Sequence, residues 1–181
     1  MNLIELINVN KSYLNKTFNL TIKEDEKLLI VGSNGSGKST LVKLIAKYLK
    51  PSSGCIKINN NKIYYLEEHI KMPNNLKAIE YIKLIASIKK TTINYSLNTL
   101  FNIPLDKYIF ELSKGNKQKL ALFVTLLSND GIVILDEPLN GLDKEMISKF
   151  INYLIDLKHT IIIVTHYPDD YLKLKARVVY L

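Results

Sequence analysis

Gly32-Ser33-Asn34-Gly35-Ser36-Gly37-Lys38-Ser39-Thr40 stands between a short apolar run, Lys27–Val31, and a segment in which Leu41, Leu44, Ile45, Tyr48 and Leu49 recur at helical spacing. The nine residues fit G-x-x-x-x-G-K-[ST], and the context is a buried strand before the loop and an amphipathic helix after it. Glycine lets such a loop bend until successive backbone N–H groups point inward at phosphate oxygens. The N-terminus of the following helix adds a partial positive charge. Lys38 is placed to reach the terminal phosphates of a nucleoside triphosphate, and the Ser39 hydroxyl to sit on its Mg²⁺. The whole loop from Gly32 to Thr40, including Ser33, Asn34, Gly35, Ser36 and Gly37, is therefore the candidate phosphate cradle.

Working outward, residues 4–9 and 18–22 alternate like strands and are expected to form an N-terminal antiparallel β part, and Pro51-Ser52-Ser53-Gly54 is expected to stop the loop's helix and turn the chain. Strand-like runs follow at 55–58 and 62–66. The middle of the chain changes character: Leu76, Ile79, Ile82, Ile85 and Ala86 mark one helix, residues 97–101 a shorter one, and Leu120, Phe123, Val124 and Leu127 a third. Beyond them come an apolar run at 132–135, a helix through Met146, Phe150 and Leu154, a second apolar run at 161–164 and a last short strand at 178–181. Apolar strands alternating with amphipathic helices imply an α/β fold with a mainly parallel sheet covered on both faces. A single domain is expected over 1–181, with a nucleotide-binding core at 1–71 and 129–181 and an inserted helical subdomain at 72–128.

The apolar run at 132–135 ends in Asp136-Glu137. A carboxylate at the end of a buried strand is costly unless it serves an ion. Beside the phosphate loop, Asp136 would hold Mg²⁺ through water, and Glu137 could orient and deprotonate an attacking water. Together these features describe a P-loop nucleotide triphosphatase with a RecA-like core.

Leu112-Ser113-Lys114-Gly115-Asn116-Lys117-Gln118-Lys119 narrows this further. A serine hydroxyl, a glycine and a helix expected to start near Asn116 make a second anion site. The stretch resembles the signature motif of ATP-binding cassette (ABC) ATPases, and the order of the other motifs matches that family over residues 3–181. Leu139-Asn140-Gly141-Leu142-Asp143 is similar to its D-loop, and Asp143 also reads as the N-cap of the next helix. His166, after the last apolar run, resembles its switch histidine, and Tyr13 stands where the family places an aromatic that stacks on adenine. The resemblance implies that Ser113 and Gly115 contact the γ-phosphate held by another cassette, so that two ATP molecules are sandwiched in a homodimer or a heterodimer. It implies that His166 contacts the γ-phosphate and helps hold the attacking water.

The sequence departs from the family pattern at three places. Glu68 falls where the family has a glutamine that touches Mg²⁺, so a carboxylate joins the candidate metal set of Ser39 and Asp136. Lys114 replaces the usual glycine of the signature, and Asn116 the usual glutamine. The chain ends at the strand after His166, as expected for a minimal cassette. The resemblance further implies the ATPase subunit of a transporter, docked between the Glu68 region and the helical insert on a separate transmembrane permease. The signature is more similar to those of bacterial exporters of drugs, peptides or lantibiotics than to those of importers.

Composition sets bounds on the alternatives. Twenty-five Lys+Arg against 17 Asp+Glu leave a formal charge of +8, and the excess lies within the first 110 residues. Nucleic acid is an unfavoured partner, because the lysines are scattered and Arg177 is the sole arginine. A lysine-rich face near an anionic membrane leaflet or a polyphosphate accounts for the charge equally well. The family's soluble members that act on nucleic acid or ribosomes carry a long coiled coil or two cassettes, and neither is visible here. A nucleotide-gated regulator without hydrolysis fits less well, since Glu137 and His166 are both in place. Cys55 is the only cysteine, so an internal disulfide is excluded. The apolar runs fall short of the ~20 residues of a membrane span. The N-terminus lacks a signal-peptide pattern. The expected location is the cytoplasm, peripheral on the inner face of the membrane.

Overall fold

Leu28, Ile30, Ile132, Ile134, Ile162 and Val164 pack on one side of a central sheet, while Leu29, Val31, Val133, Leu135, Ile161 and Ile163 pack on the other. This period-two division is what a sheet buried on both faces requires. The computed structural model describes residues 1–59, 62–128 and 130–181. The central sheet is built from β3 (Lys27–Val31), β5 (Ile63–Leu66), β6 (Ile132–Asp136), β7 (Ile161–Thr165) and β8 (Arg177–Tyr180), in the order β5-β6-β7-β3-β8. Every neighbouring pair in it is parallel. A second, antiparallel sheet holds β1 (Asn2–Asn10), β2 (Thr17–Lys23) and β4 (Ser53–Ile58), in the order β2-β1-β4. It packs with α1 (Lys38–Ile45) over one face of the central sheet.

The other face carries α2 (Ala78–Lys89), α3 (Ser96–Phe101), α4 (Lys114–Thr125) and α5 (Lys144–Asp156). Phe101 joins three of them, with its ring centroid 6.4 Å from that of Phe123 in α4 and 6.0 Å from that of Phe150 in α5. All three rings are fully buried. The helix starts are capped locally: Asp143 Oδ1 accepts the Met146 N–H at 2.8 Å, and Glu80 Oε2 accepts the Lys77 N–H at 2.8 Å. Helices α2 to α4 lie within the segment 72–128; the expected boundary at 129 falls on Asn129, outside the described residues.

Three sequence expectations need correction. The helix after the phosphate loop ends at Ile45, not near Leu49, because Lys47 adopts a left-handed backbone at φ 63. Tyr48 is thereby turned off the apolar stripe and stands 61% exposed. Gly115 does not precede α4 but lies in its first turn, since the helix begins at Lys114. Gly54 does not end a helix; it lies in β4 at φ +82, opposite a register shift of β1 where Asn8 also has positive φ, at 50.

That third site carries a stability prediction. A Cβ on Gly54 would come 2.2 Å from the Asn8 carbonyl oxygen. Gly54→Ala therefore combines a left-handed backbone penalty with a clash against main chain, and about 2–4 kcal/mol of stability should be lost. Thermal unfolding should show a midpoint lower by roughly 5–15 °C. A shift below about 2 °C would mean that β1 and β4 separate without cost.

Candidate nucleotide site

Parallel strands bring their C-terminal ends to one edge of the sheet, and ligand sites of open α/β sheets form there. β3 leads into the phosphate loop, β5 into Glu67-Glu68, β6 into Asp136-Glu137 and β7 into His166. The residues meet around one cleft of about 190 Å³, lined by Asn34 to Thr40, Glu68, Asp136, Glu137 and His166. Four of the sequence motifs, far apart along the chain, are thus gathered by the register of the sheet.

The loop's glycines have separate reasons. Gly35 and Gly37 sit at φ +78 and +99, which L side chains rarely adopt. Gly32 is needed for space, since a Cβ there would lie 2.6 Å from Ser36 Oγ and 2.8 Å from the Leu181 carbonyl oxygen. Lys38 folds back over the loop, its Nζ donating to the Gly32 and Ser33 carbonyls at 2.7 and 3.0 Å. Burial pulls its pKa below the usual lysine value, opposed by the charges of Glu137, Asp136 and Glu68. It is the only Lys or Arg among the described lining residues of the cleft.

The carboxylates form the opposite wall. Burial raises the Asp136 pKa above the ordinary carboxylate range and the charge of Glu68 adds to this, while the Tyr65 phenol, the Ser39 hydroxyl and the Lys38 charge oppose it. The Glu137 pKa is also raised, first by burial, with His166 pulling the other way and Asp136 pushing in the same direction. Glu137 is 7% exposed, and its Oε1 has no hydrogen-bond partner among the described residues. His166 Nε2 is 3.6 Å from that oxygen, too far for a hydrogen bond but close enough to act on its charge. Glu137 also holds a left-handed backbone, φ 48, fixed by its N–H donating to the Val164 carbonyl at 3.0 Å. A buried unpaired carboxylate oxygen on a strained backbone is expensive, and such costs concentrate at functional sites.

The donor set fits Mg²⁺ bound together with a triphosphate. Mg²⁺ keeps several waters and takes one or two carboxylates plus phosphate oxygens. Asp136 and Ser39 supply a buried carboxylate and a hydroxyl in one cleft, and Glu68 adds a second carboxylate at its edge. Among the described residues no group of three or more His, Cys, Asp or Glu side chains forms a protein-only metal cage.

Tyr13, Ser113 and Gly115 lie outside this cleft. Tyr13 is 62% exposed on the turn between β1 and β2, with Lys11 Nζ 5.8 Å from its ring centroid. The turn is tied to the phosphate loop by Lys16 Nζ, which donates to the Ser36 carbonyl at 3.2 Å. Ser113 caps α4, its Oγ accepting the Asn116 N–H at 3.2 Å, and is itself exposed. Gly115 packs under the D-loop: a Cβ there would lie 2.7 Å from the Gly141 carbonyl oxygen. Its glycine is explained by backbone approach to Gly141, not by the cleft.

Sequence reasoning missed two residues around the site. Gln118, buried in α4, donates through Nε2 to the Pro138 carbonyl at 2.8 Å. Flanked by lysines it reads as solvated, and its one signal is its place next to the apolar stripe that starts at Leu120. Tyr65 donates from its phenol to Asp136 Oδ2 at 3.3 Å. As one of 11 tyrosines it carries no signal of its own.

Comparison with known proteins agrees with this geometry. The sequence profile described as ABC transporter matches residues 15–140. The chain is 36% identical over 172 residues to an ABC transporter ATP-binding protein of Methanocaldococcus jannaschii, covering 88% of this chain and 65% of that protein. It is 29% identical over 202 residues to a spermidine/putrescine import ATP-binding protein of Fusobacterium nucleatum, covering 97% of this chain and 54% of that one. The chain thus spans only about half to two thirds of these two relatives. A cytochrome c biogenesis ATP-binding export protein of Reclinomonas americana is 33% identical over 175 residues, with 85% and 78% covered. Among solved structures, a dimeric bacterial ABC transporter cassette superposes with a TM-score of 0.87 at 26% identity, covering 98% of this chain and 94% of that one.

Proposed function

This chain belongs to the ABC transporter family of ATP-binding cassettes, and on that footing we propose that it hydrolyses ATP to drive a separate membrane-spanning subunit. The observation that carries the reading is the cleft itself: Lys38, Asp136, Glu137, Glu68 and His166 converge there, with a buried carboxylate oxygen of Glu137 that has no hydrogen-bond partner among the described residues. ATP would lie with its phosphates on the backbone N–H groups of residues 32–40 and its adenine against Tyr13. Ser39 and Asp136 would hold Mg²⁺, with Glu68 as the additional carboxylate; when bound, the ion neutralises phosphate charge. Glu137 would take a proton from the water that attacks the γ-phosphorus. As that O–P bond forms, the bond to the β–γ bridging oxygen breaks, giving ADP and phosphate. A pKa raised by burial suits a base that works near neutral pH.

The exposed signature residues support a second part of the proposal. Ser113 is exposed and lies outside the lining of this chain's own cleft, and the resemblance of residues 112–119 to the signature motif would have it serve the nucleotide of another cassette in a head-to-tail pair. Binding of ATP would close the pair and hydrolysis would reopen it. The membrane subunit would sit in the groove of about 480 Å³ that Tyr64, Glu67, Met72, Tyr81 and Ile85 help to line between β5 and α2. Among the described residues no helix is long and apolar enough to cross a membrane. We take export as the direction, on the resemblance of residues 112–118; the names of the relatives include both import and export.

The test is a steady-state phosphate-release assay on the purified chain, paired with affinity purification from native membranes. ATP hydrolysis and co-purification of a chain with about six apolar spans are expected. No hydrolysis by the wild type, alone or with that partner, would overturn the enzyme reading.

A further inference from the structure

Asp136 is contacted by a group that none of the nucleotide motifs contains. β5 runs parallel to β6 with Tyr65 beside Ile134 and Leu66 beside Leu135, and the long Tyr65 side chain reaches forward to donate to Asp136 Oδ2 at 3.3 Å. A half-buried phenol still costs desolvation that phenylalanine of the same shape would avoid, unless its hydroxyl has a polar partner. Here the partner is the carboxylate at the end of the neighbouring strand. Burial, with the nearby charges of Asp136 and Glu67, pushes the Tyr65 pKa far upward, so the phenol stays a neutral donor. The distance exceeds the usual 2.7–2.8 Å of strong O–H···O bonds; this contact orients the carboxylate more than it neutralises it.

The Tyr65 ring is itself held. Tyr48 meets it edge-on, with centroids 5.4 Å apart and planes at 75°, an arrangement favoured by the ring quadrupoles. Tyr48 comes from the end of the phosphate-loop helix, where the left-handed backbone of Lys47 turns the chain. Both residues are among those that line the groove at the β5 edge of the sheet, with Tyr65 packed on the face that carries α1. Two aromatic side chains and one hydrogen bond therefore join the wall of that groove to Asp136.

We infer that Tyr65 is a positioning residue for Asp136 and that Tyr48 holds Tyr65 in place, so that the cation carboxylate is set from the groove. The inference rests on the reading of Asp136 as the Mg²⁺ residue, and the experiment separates the two. Mn²⁺ serves as the spectroscopic stand-in, titrated by electron paramagnetic resonance into the full chain with a non-hydrolysable ATP analogue. Tyr65→Phe should weaken Mn²⁺ binding about tenfold and raise the KM for Mg²⁺ in hydrolysis by a similar factor. Affinity for the nucleotide without metal should stay unchanged, which a merely loosened core would not allow. Tyr48→Ala should weaken Mn²⁺ binding three- to fivefold and Tyr48→Phe should restore it, because the ring alone does the holding. Asp136→Asn is the reference. If it leaves Mn²⁺ affinity unchanged, the reading of Asp136 fails and the inference with it. If it abolishes binding while Tyr65→Phe and Tyr48→Ala stay within twofold of wild type, the positioning role alone is overturned. Should Tyr65→Phe fail to fold, the exposed Tyr48 decides on the same twofold limit.

Discussion

Glu137→Gln should lower steady-state ATP hydrolysis at least about 100-fold while ATP binding stays within a factor of three of wild type, since a positioned general base contributes roughly 10²–10⁴ in rate. The substitution keeps the shape of the side chain and the backbone bond to Val164, but removes the group that accepts the proton. It also removes a charge that burial penalises, so thermal stability should hold or rise. With hydrolysis blocked, ATP should remain bound, and a species of twice the monomer mass should appear on size exclusion with ATP and Mg²⁺. Phosphate release, equilibrium binding and chromatography on the same preparation check all three. Activity within threefold of wild type would remove Glu137 from the base role and leave water activation to another group. A dead enzyme that has also lost ATP binding would instead point to a collapsed cleft.

Lys38→Ala should raise the Kd for ATP by about 100-fold, equivalent to about 2.7 kcal/mol. Lys38 is the only Lys or Arg among the described residues that line the cleft, and it faces Glu68, Asp136 and Glu137. Without it, a ligand carrying several negative charges would enter a site whose fixed charges are all carboxylates, at partly buried positions where repulsion is weakly screened. The two loop carbonyls that now accept from Nζ lose their donor as well, so the empty loop should become more mobile. Calorimetric titration with ATP in the presence of Mg²⁺ measures the effect. A Kd within threefold of wild type would mean that the backbone N–H groups carry phosphate binding without the lysine. The variant should still unfold cooperatively, since Lys38 takes no part in the apolar clusters.

The middle of the sheet was legible because β3, β6 and β7 are short, almost wholly apolar runs, and only a strand buried on both faces needs that. Asp136 and His166 stood out for the complementary reason, as polar residues one and two positions after such runs. The end of α1 was not legible. Tyr48 and Leu49 continue its apolar spacing, and nothing local announces that Lys47 accepts a left-handed backbone. Gly54 and Gly115 were noticed but misplaced relative to their helices, because what approaches a glycine is not local: Asn8 for one and Gly141 for the other, both distant in sequence. Tyr65 and Gln118 act across elements, on Asp136 and Pro138, and periodicity is blind to such pairings.

The junction of α4 with the loop after β6 has a mechanical consequence. Gly115 lies against the Gly141 carbonyl, and one turn further along the helix Gln118 grips the Pro138 carbonyl. Two fastenings on one helix, three residues apart, act like a gear tooth seated in its rack. A roll of α4 about its axis would pull on the Pro138–Leu139 peptide, the second after Glu137, whose own backbone is left-handed. Ser113, the cap of α4, is thereby two contacts away from the loop that carries Glu137.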